Sequence, residues 1–273
     1  MPISFWDYAG LGRPQWRGEP SLLKSLYFFL LGAPDVHARI RNSHVLNRIA
    51  ALPLPGGARV LELGSARGLA LFWLARHRPK WQLTGIDLEE EWVAVSEQAA
   101  RRGGYHNLAF RCGPAQELAE KASYDLILCV DVLEHIVDDA GLLRQMKEAL
   151  KPGGYLVLHV PRRRHEQWRW LRAFREHDIE GHVREEYRDQ DLRQLLPAAG
   201  YRLVDLRETF GRWGEVAFEL NMMGWKHWRL RTLITLLTYV PSLLLGFLDV
   251  QHVRGRGNAF LVVAEADDGG MGS

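Results

Sequence analysis

The sequence of 273 residues contains only two cysteines, Cys112 and Cys129, so it has neither a disulfide framework nor a cysteine-rich metal site. Both are expected to be reduced core residues, and no metal is expected. Charge of one sign is also scarce. Thirty-five Lys and Arg against 33 Asp and Glu leave a net charge of +2, too little to imply a nucleic-acid partner. No internal repeat, low-complexity linker or signal peptide stands out. The apolar segment from Leu22 to Leu31 begins well inside the chain, contains Lys24 and lacks the order of a leader. The expected compartment is therefore the cytoplasm. Hydrophobic residues make up 47% of the chain, enough for a full globular core.

The most informative stretch is Val60-Leu61-Glu62-Leu63-Gly64-Ser65-Ala66-Arg67-Gly68. An apolar run over Arg59–Leu63 predicts a buried parallel strand, and Gly64, Ala66 and Gly68 leave little bulk where the chain must bend and admit a ligand. A helix from Leu69 to His77 follows. About twenty residues after the turn a second strand, Trp81 to Ile86, ends in Asp87, placed to accept both hydrogens of a ribose diol. This order describes a βαβ nucleotide-binding unit. The dinucleotide fingerprint G-x-G-x-x-G is broken twice, by Ala66 and Leu69, so a ligand without a pyrophosphate fits the turn better.

Two further segments extend the pattern. Tyr124 to Val130 reads as a buried strand entering the polar loop Asp131-Val132-Leu133-Glu134-His135-Ile136. Leu150-Lys151-Pro152-Gly153-Gly154 reads as a helix end and turn, followed by the strand Tyr155 to Val160. Together with the first turn these segments resemble the class I S-adenosylmethionine (SAM)-dependent methyltransferases over Arg59 to Val160, with weaker echoes in Gly181-His182-Val183-Arg184 and in the last strand.

The resemblance implies an α/β fold: a Rossmann-like seven-stranded mixed sheet of order 3-2-1-4-5-7-6, last strand antiparallel, with helices on both faces, a helical N-terminal cap and a C-terminal helical insertion. It implies an enzyme using SAM, with S-adenosylhomocysteine as product. The cofactor site it carries over comprises Glu62, Gly64, Ser65, Ala66, Gly68, Asp87, Leu88, Ala115, Gln116, Val130 and Asp131. One departure concerns adenine: where the family usually places an acid after the third strand, this chain has Gly113-Pro114-Ala115-Gln116. Adenine recognition then falls to the Ala115 N–H and the Gln116 amide.

The expected organisation is a helical cap over 1–58, including an amphipathic helix from Asp35 to Ala51, and the SAM-binding core over 59–160. A substrate-side helical segment follows over 161–200. The final strand pair lies at 201–209 and 258–265, a hydrophobic helical insertion at 210–257 and a flexible tail at 266–273.

Two features are individual to this chain. Arg162, Arg163 and Arg164, with His165, follow the fifth strand at the edge where open α/β sheets bind ligands, and guanidiniums there suit an anionic acceptor group. The competing reading is a solvated basic helix face. The second feature is Asn221 to Val250, uncharged from Thr232 to Leu248, broken by Pro241 and preceded by Trp225, Lys226, Trp228, Arg229 and Arg231. A surface-lying helical hairpin against a membrane over 225–250 fits it, as does a lid or a homodimer contact.

Methyl transfer to a hydroxyl calls for a base, and the candidates at the ligand edge are His135, His165 and His182, with Asp131 beside the first. The expected function is methyl transfer from SAM to a small or lipid-linked, partly apolar acceptor, most simply on oxygen. The alternatives are a NAD-dependent dehydrogenase or epimerase, and a catalytically inactive membrane-associated binding protein of the same fold.

Overall fold

The computed structural model describes residues 35–162, 183–184, 186–226, 231–254 and 256–267. Seven strands form one sheet. They are β1 (Arg59–Leu63), β2 (Gln82–Asp87), β3 (Leu108–Cys112), β4 (Tyr124–Val130), β5 (Leu150–Pro161), β6 (Tyr201–Thr209) and β7 (Ala259–Ala266), in the spatial order β3-β2-β1-β4-β5-β7-β6. The first five run parallel, and β7 lies antiparallel between β5 and β6.

The central strands are apolar throughout because both faces are covered. Leu61 and Leu63 of β1 and Leu156 and Leu158 of β5 point into one core layer, with Leu142, Leu143 and Met146 of α4 (Asp139–Ala149) and Leu192 and Leu196 of α5 (Asp189–Ala198). Val60, Leu126 and Leu128 point the other way. They meet Val45, Leu46 and Ile49 of α1 (Val36–Ala50), Leu71 and Phe72 of α2 (Leu69–His77) and Val93 of α3 (Glu90–Gly103). Asp35 caps α1, its carboxylate accepting the Ala38 N–H at 2.9 Å.

The third strand corrects one expectation. Cys112 is exposed rather than in the core, because β3 is the edge strand and carries helices over only part of its surface. Cys129, in central β4, is buried, and burial pushes its thiol pKa up.

Two long helices, α6 (Arg212–Lys226) and α7 (Arg231–Gln251), are inserted between β6 and β7. They pack on each other and on the first half of α1, through Phe210, Ala217, Phe218, Tyr239 and Leu243 against Val36 and Ile40. Pro241 interrupts the apolar run of the sequence but not the helix: α7 passes through it. Its position on the exposed side leaves the carbonyl it cannot satisfy open to water. That same side presents Leu237, Val240, Leu244 and Leu248 to solvent. Among the described residues no helix is long and apolar enough to cross a membrane.

Candidate active site

The carboxyl ends of β1, β2 and β4 converge on the turn Gly64–Gly68. The chain leaves β1 through Gly64 at φ +66°, passes Ala66 at φ +43° and enters α2 from Gly68 at φ +63°. Glycine is required at both ends. A Cβ on Gly64 would sit 2.2 Å from a Val132 methyl, and one on Gly68 would sit 2.5 Å from the Phe110 ring. Gly64→Ala is therefore expected to cost about 1–3 kcal/mol of stability from steric overlap and a left-handed backbone, measurable by urea unfolding.

Asp87 fastens this turn. One carboxylate oxygen accepts the Ala66 N–H at 2.6 Å and the other accepts the Glu89 N–H at 3.0 Å. Each oxygen keeps a second lone pair, so the carboxylate is oriented and still able to accept from a ligand. The loop after β3 reaches the same edge through the Gly113 N–H, which donates to the Asp87 carbonyl at 3.0 Å. It brings up Ala115, half-buried, and Gln116, exposed, in a single 3-10 turn. Leu88 lies next to Asp87 with 69% of its surface exposed.

Glu62 and Ser65 line the inner side of the turn. Both are buried, and one Glu62 carboxylate oxygen and the Ser65 hydroxyl have no hydrogen-bond partner among the described residues. Burial raises the Glu62 pKa to about 8; Arg41 opposes that rise and Asp87 adds to it. A buried acceptor and a buried hydroxyl left open beside a glycine turn are the donor set that a polar ligand would complete.

The loop after β4 closes the site. Val130 is buried at the strand end, and Asp131 follows with φ +53°. The Asp131 carboxylate lies 2.5 Å from Nδ1 of His159 and accepts from Nη1 of Arg41, also at 2.5 Å. Nε2 of His159 is 3.0 Å from the Thr209 hydroxyl. Against the penalty of burial, His159 and Arg41 hold the Asp131 carboxyl well below the usual carboxylate range. Arg41 and His159 are additions to the residues expected from sequence. The signal for His159 was an ionisable side chain inside a strand buried on both faces. Arg41 had none, being one polar residue among several on α1.

Of the expected acceptor residues, Arg162 lies within the described part of the chain. Arg162 is already held by Glu208 at 2.6 Å and by the Gly257 carbonyl at 3.1 Å, with its guanidinium 5.2 Å from the Phe260 ring centroid. It clamps the last strands together. Arg163, Arg164, His165 and His182 lie outside the described residues. His135 is exposed at the end of a 3-10 turn, Leu133–His135. The neighbouring Glu134 carbonyl accepts the N–H groups of Val183 and Arg184, which brings the stretch after His182 to this edge.

The model of the methyltransferase domain matches residues 36–206. This chain belongs to that family, the class I SAM-dependent methyltransferases. A ubiquinone biosynthesis O-methyltransferase of Acinetobacter baumannii (strain AYE) is 28% identical over 130 residues, 45% of this chain and 54% of that protein. One of Xanthomonas axonopodis pv. citri (strain 306) is 35% identical over 115 residues, 41% of this chain and 47% of that protein. The chain thus spans about half the length of these relatives. A SAM-dependent methyltransferase from Aquifex aeolicus shares the fold with a TM-score of 0.55 at 16% identity, over 92% of this chain and 100% of that one. The cofactor of this methyltransferase, SAM, carries a ribose and a charged amino-acid end but no phosphate.

Proposed function

We propose that this methyltransferase moves a methyl group from SAM to a hydroxyl oxygen of a small or lipid-linked, partly apolar acceptor. The observation that carries the SAM reading is the pairing of an oriented Asp87 carboxylate with the unfilled Glu62 oxygen on either side of the glycine turn. Asp87 would take the ribose diol, Glu62 the ammonium, and Arg41 lies within electrostatic reach of Glu62 to balance the carboxylate of the same ligand. When bound, the cofactor supplies an electrophilic methyl on a sulfonium. The chain's task is to hold the acceptor in line and exclude water.

The oxygen assignment rests on the relatives' O-methyltransferase names. The acceptor's proton would leave to a histidine, with His135 and His182 as the candidates. Asp131, kept ionised by its contacts with Arg41 and His159, is a poor base and a good electrostatic anchor. Arg163 and Arg164 remain proposed contacts for an anionic acceptor group. Calorimetry with SAM and with NAD tests the cofactor; NAD binding without SAM binding would sink the reading. Methyl transfer from labelled SAM into a lipid extract tests the acceptor, and SAM binding with no transfer would favour an inactive binding protein.

The stripe Leu237, Val240, Leu244 and Leu248 on α7 supports a lipid-linked acceptor, since it offers three turns of uncharged surface on the same helix pair that packs against α1. Replacing Leu237, Leu244 and Leu248 by Ser is expected to abolish sedimentation with anionic liposomes while leaving SAM affinity within about twofold. A wild-type protein that stays in the supernatant would assign the stripe to a lid or a homodimer contact.

A further inference from the structure

Resting on the reading of this edge as the methyl-transfer site, we propose that His159 is a positioning residue for the cofactor pocket. It holds the Asp131 carboxylate, and through it the Arg41 guanidinium, at the carboxyl edge of the sheet. His159 is 2% exposed and lies in β5, so it meets neither cofactor nor acceptor itself. Its hold on Asp131 is double. The side chain meets one carboxylate oxygen at 2.5 Å, and the main-chain carbonyl accepts the Asp131 N–H at 3.0 Å. The second contact fixes the backbone where a non-glycine residue sits at φ +53°, and the first fixes the rotamer.

What Asp131 then presents is directed across the site. Its other oxygen takes Arg41 from α1, 90 residues earlier in the chain. Val132, the next residue, packs where a Gly64 side chain would be, so a shift of Asp131 is transmitted directly to the cofactor turn. His159 is in turn fixed from behind. Thr209 takes its second nitrogen, and the Phe210 ring packs edge-on with its centroid 6.1 Å away. Phe210 also stacks on His37 of α1 at 4.6 Å. One buried imidazole thus joins the cap helix, the loop after β4 and the start of the helical insertion. A hydrophobic side chain in its place would fill the volume but leave one oxygen of the Asp131 carboxylate without the imidazole, with Arg41 on the other.

The test uses S-adenosylhomocysteine as the probe, titrated by calorimetry into the full chain and its variants. His159→Leu is expected to weaken binding about tenfold, the scale of one charge-assisted hydrogen bond. His159→Asn, which keeps a donor facing Asp131, should recover most of that loss. Adding Asp131→Asn to His159→Leu should cost little more than either change alone, because both remove the same placed carboxylate. Should His159→Leu fail to fold, the His159→Asn and Asp131→Asn pair still reads the coupling. Unchanged affinity in His159→Leu despite a lowered melting temperature, no recovery by His159→Asn, or fully multiplicative losses would each overturn the positioning role. Failure of the wild-type protein to bind the probe would overturn the SAM reading and this inference with it.

Discussion

Asp87→Ala is expected to weaken SAM binding by about 3 kcal/mol, roughly a hundredfold, in calorimetry on the purified variant. Two contributions add. The carboxylate would lose two charge-assisted bonds to the ribose, each worth about 1.5–3 kcal/mol before the solvent recovers part of it. It would also release the N–H groups of Ala66 and Glu89, held at 2.6 and 3.0 Å, so that the turn and the start of α3 lose the acceptor that orients both. Asp87→Asn retains one acceptor oxygen and should lose about tenfold. A loss from Asp87→Ala no larger than that from Glu62→Gln at the same pH would mean that the ribose is not held by Asp87.

The sheet was readable in advance because its parallel strands lie between two layers of helices. Burial on both faces demands unbroken apolar runs such as Leu126–Val130, and each run ends in residues that suit a turn. The glycine turn after β1 was readable for a related reason. A left-handed backbone in contact with Val132 and Phe110 tolerates almost nothing but glycine at its ends, so the constraint is written locally.

Cys112 was misplaced because an edge strand buries fewer of its residues, and nothing in the five residues of β3 says that no strand lies beyond it. The continuity of α7 through Pro241 was not legible, because whether a helix can pass a proline depends on that residue facing solvent, where the lost backbone hydrogen bond is tolerated. The polar cluster was the least legible. Arg41, Asp131, His159 and Thr209 meet across separations of 90, 28 and 50 residues. Pairings of that kind follow from the order of strands in space, which local patterns do not encode.

The affinity for SAM is expected to rise between pH 6 and pH 8, by close to tenfold per unit, and to level off near pH 8. In the protein without cofactor, the buried Glu62 carboxyl has its pKa raised to about 8 chiefly by loss of hydration, so near neutrality it is mostly protonated. An arriving ammonium needs the carboxylate, and binding therefore expels a proton over that range. Stability should move the other way. A group whose pKa is raised on folding contributes stability that is complete below its unfolded value near 4.5 and is lost as pH rises through about 8, so the melting temperature of the free protein should fall from pH 5 to pH 8 on Glu62's account. Added SAM should restore it most at the upper end. Glu62→Gln isolates the effect: the amide keeps an acceptor but cannot ionise, so its SAM affinity should match the wild type near pH 6, fall well below it at pH 8, and show almost no slope between. A wild-type affinity flat over this range, or a slope that survives in Glu62→Gln, would place the proton release on another group and remove Glu62 from contact with the charged end of the cofactor.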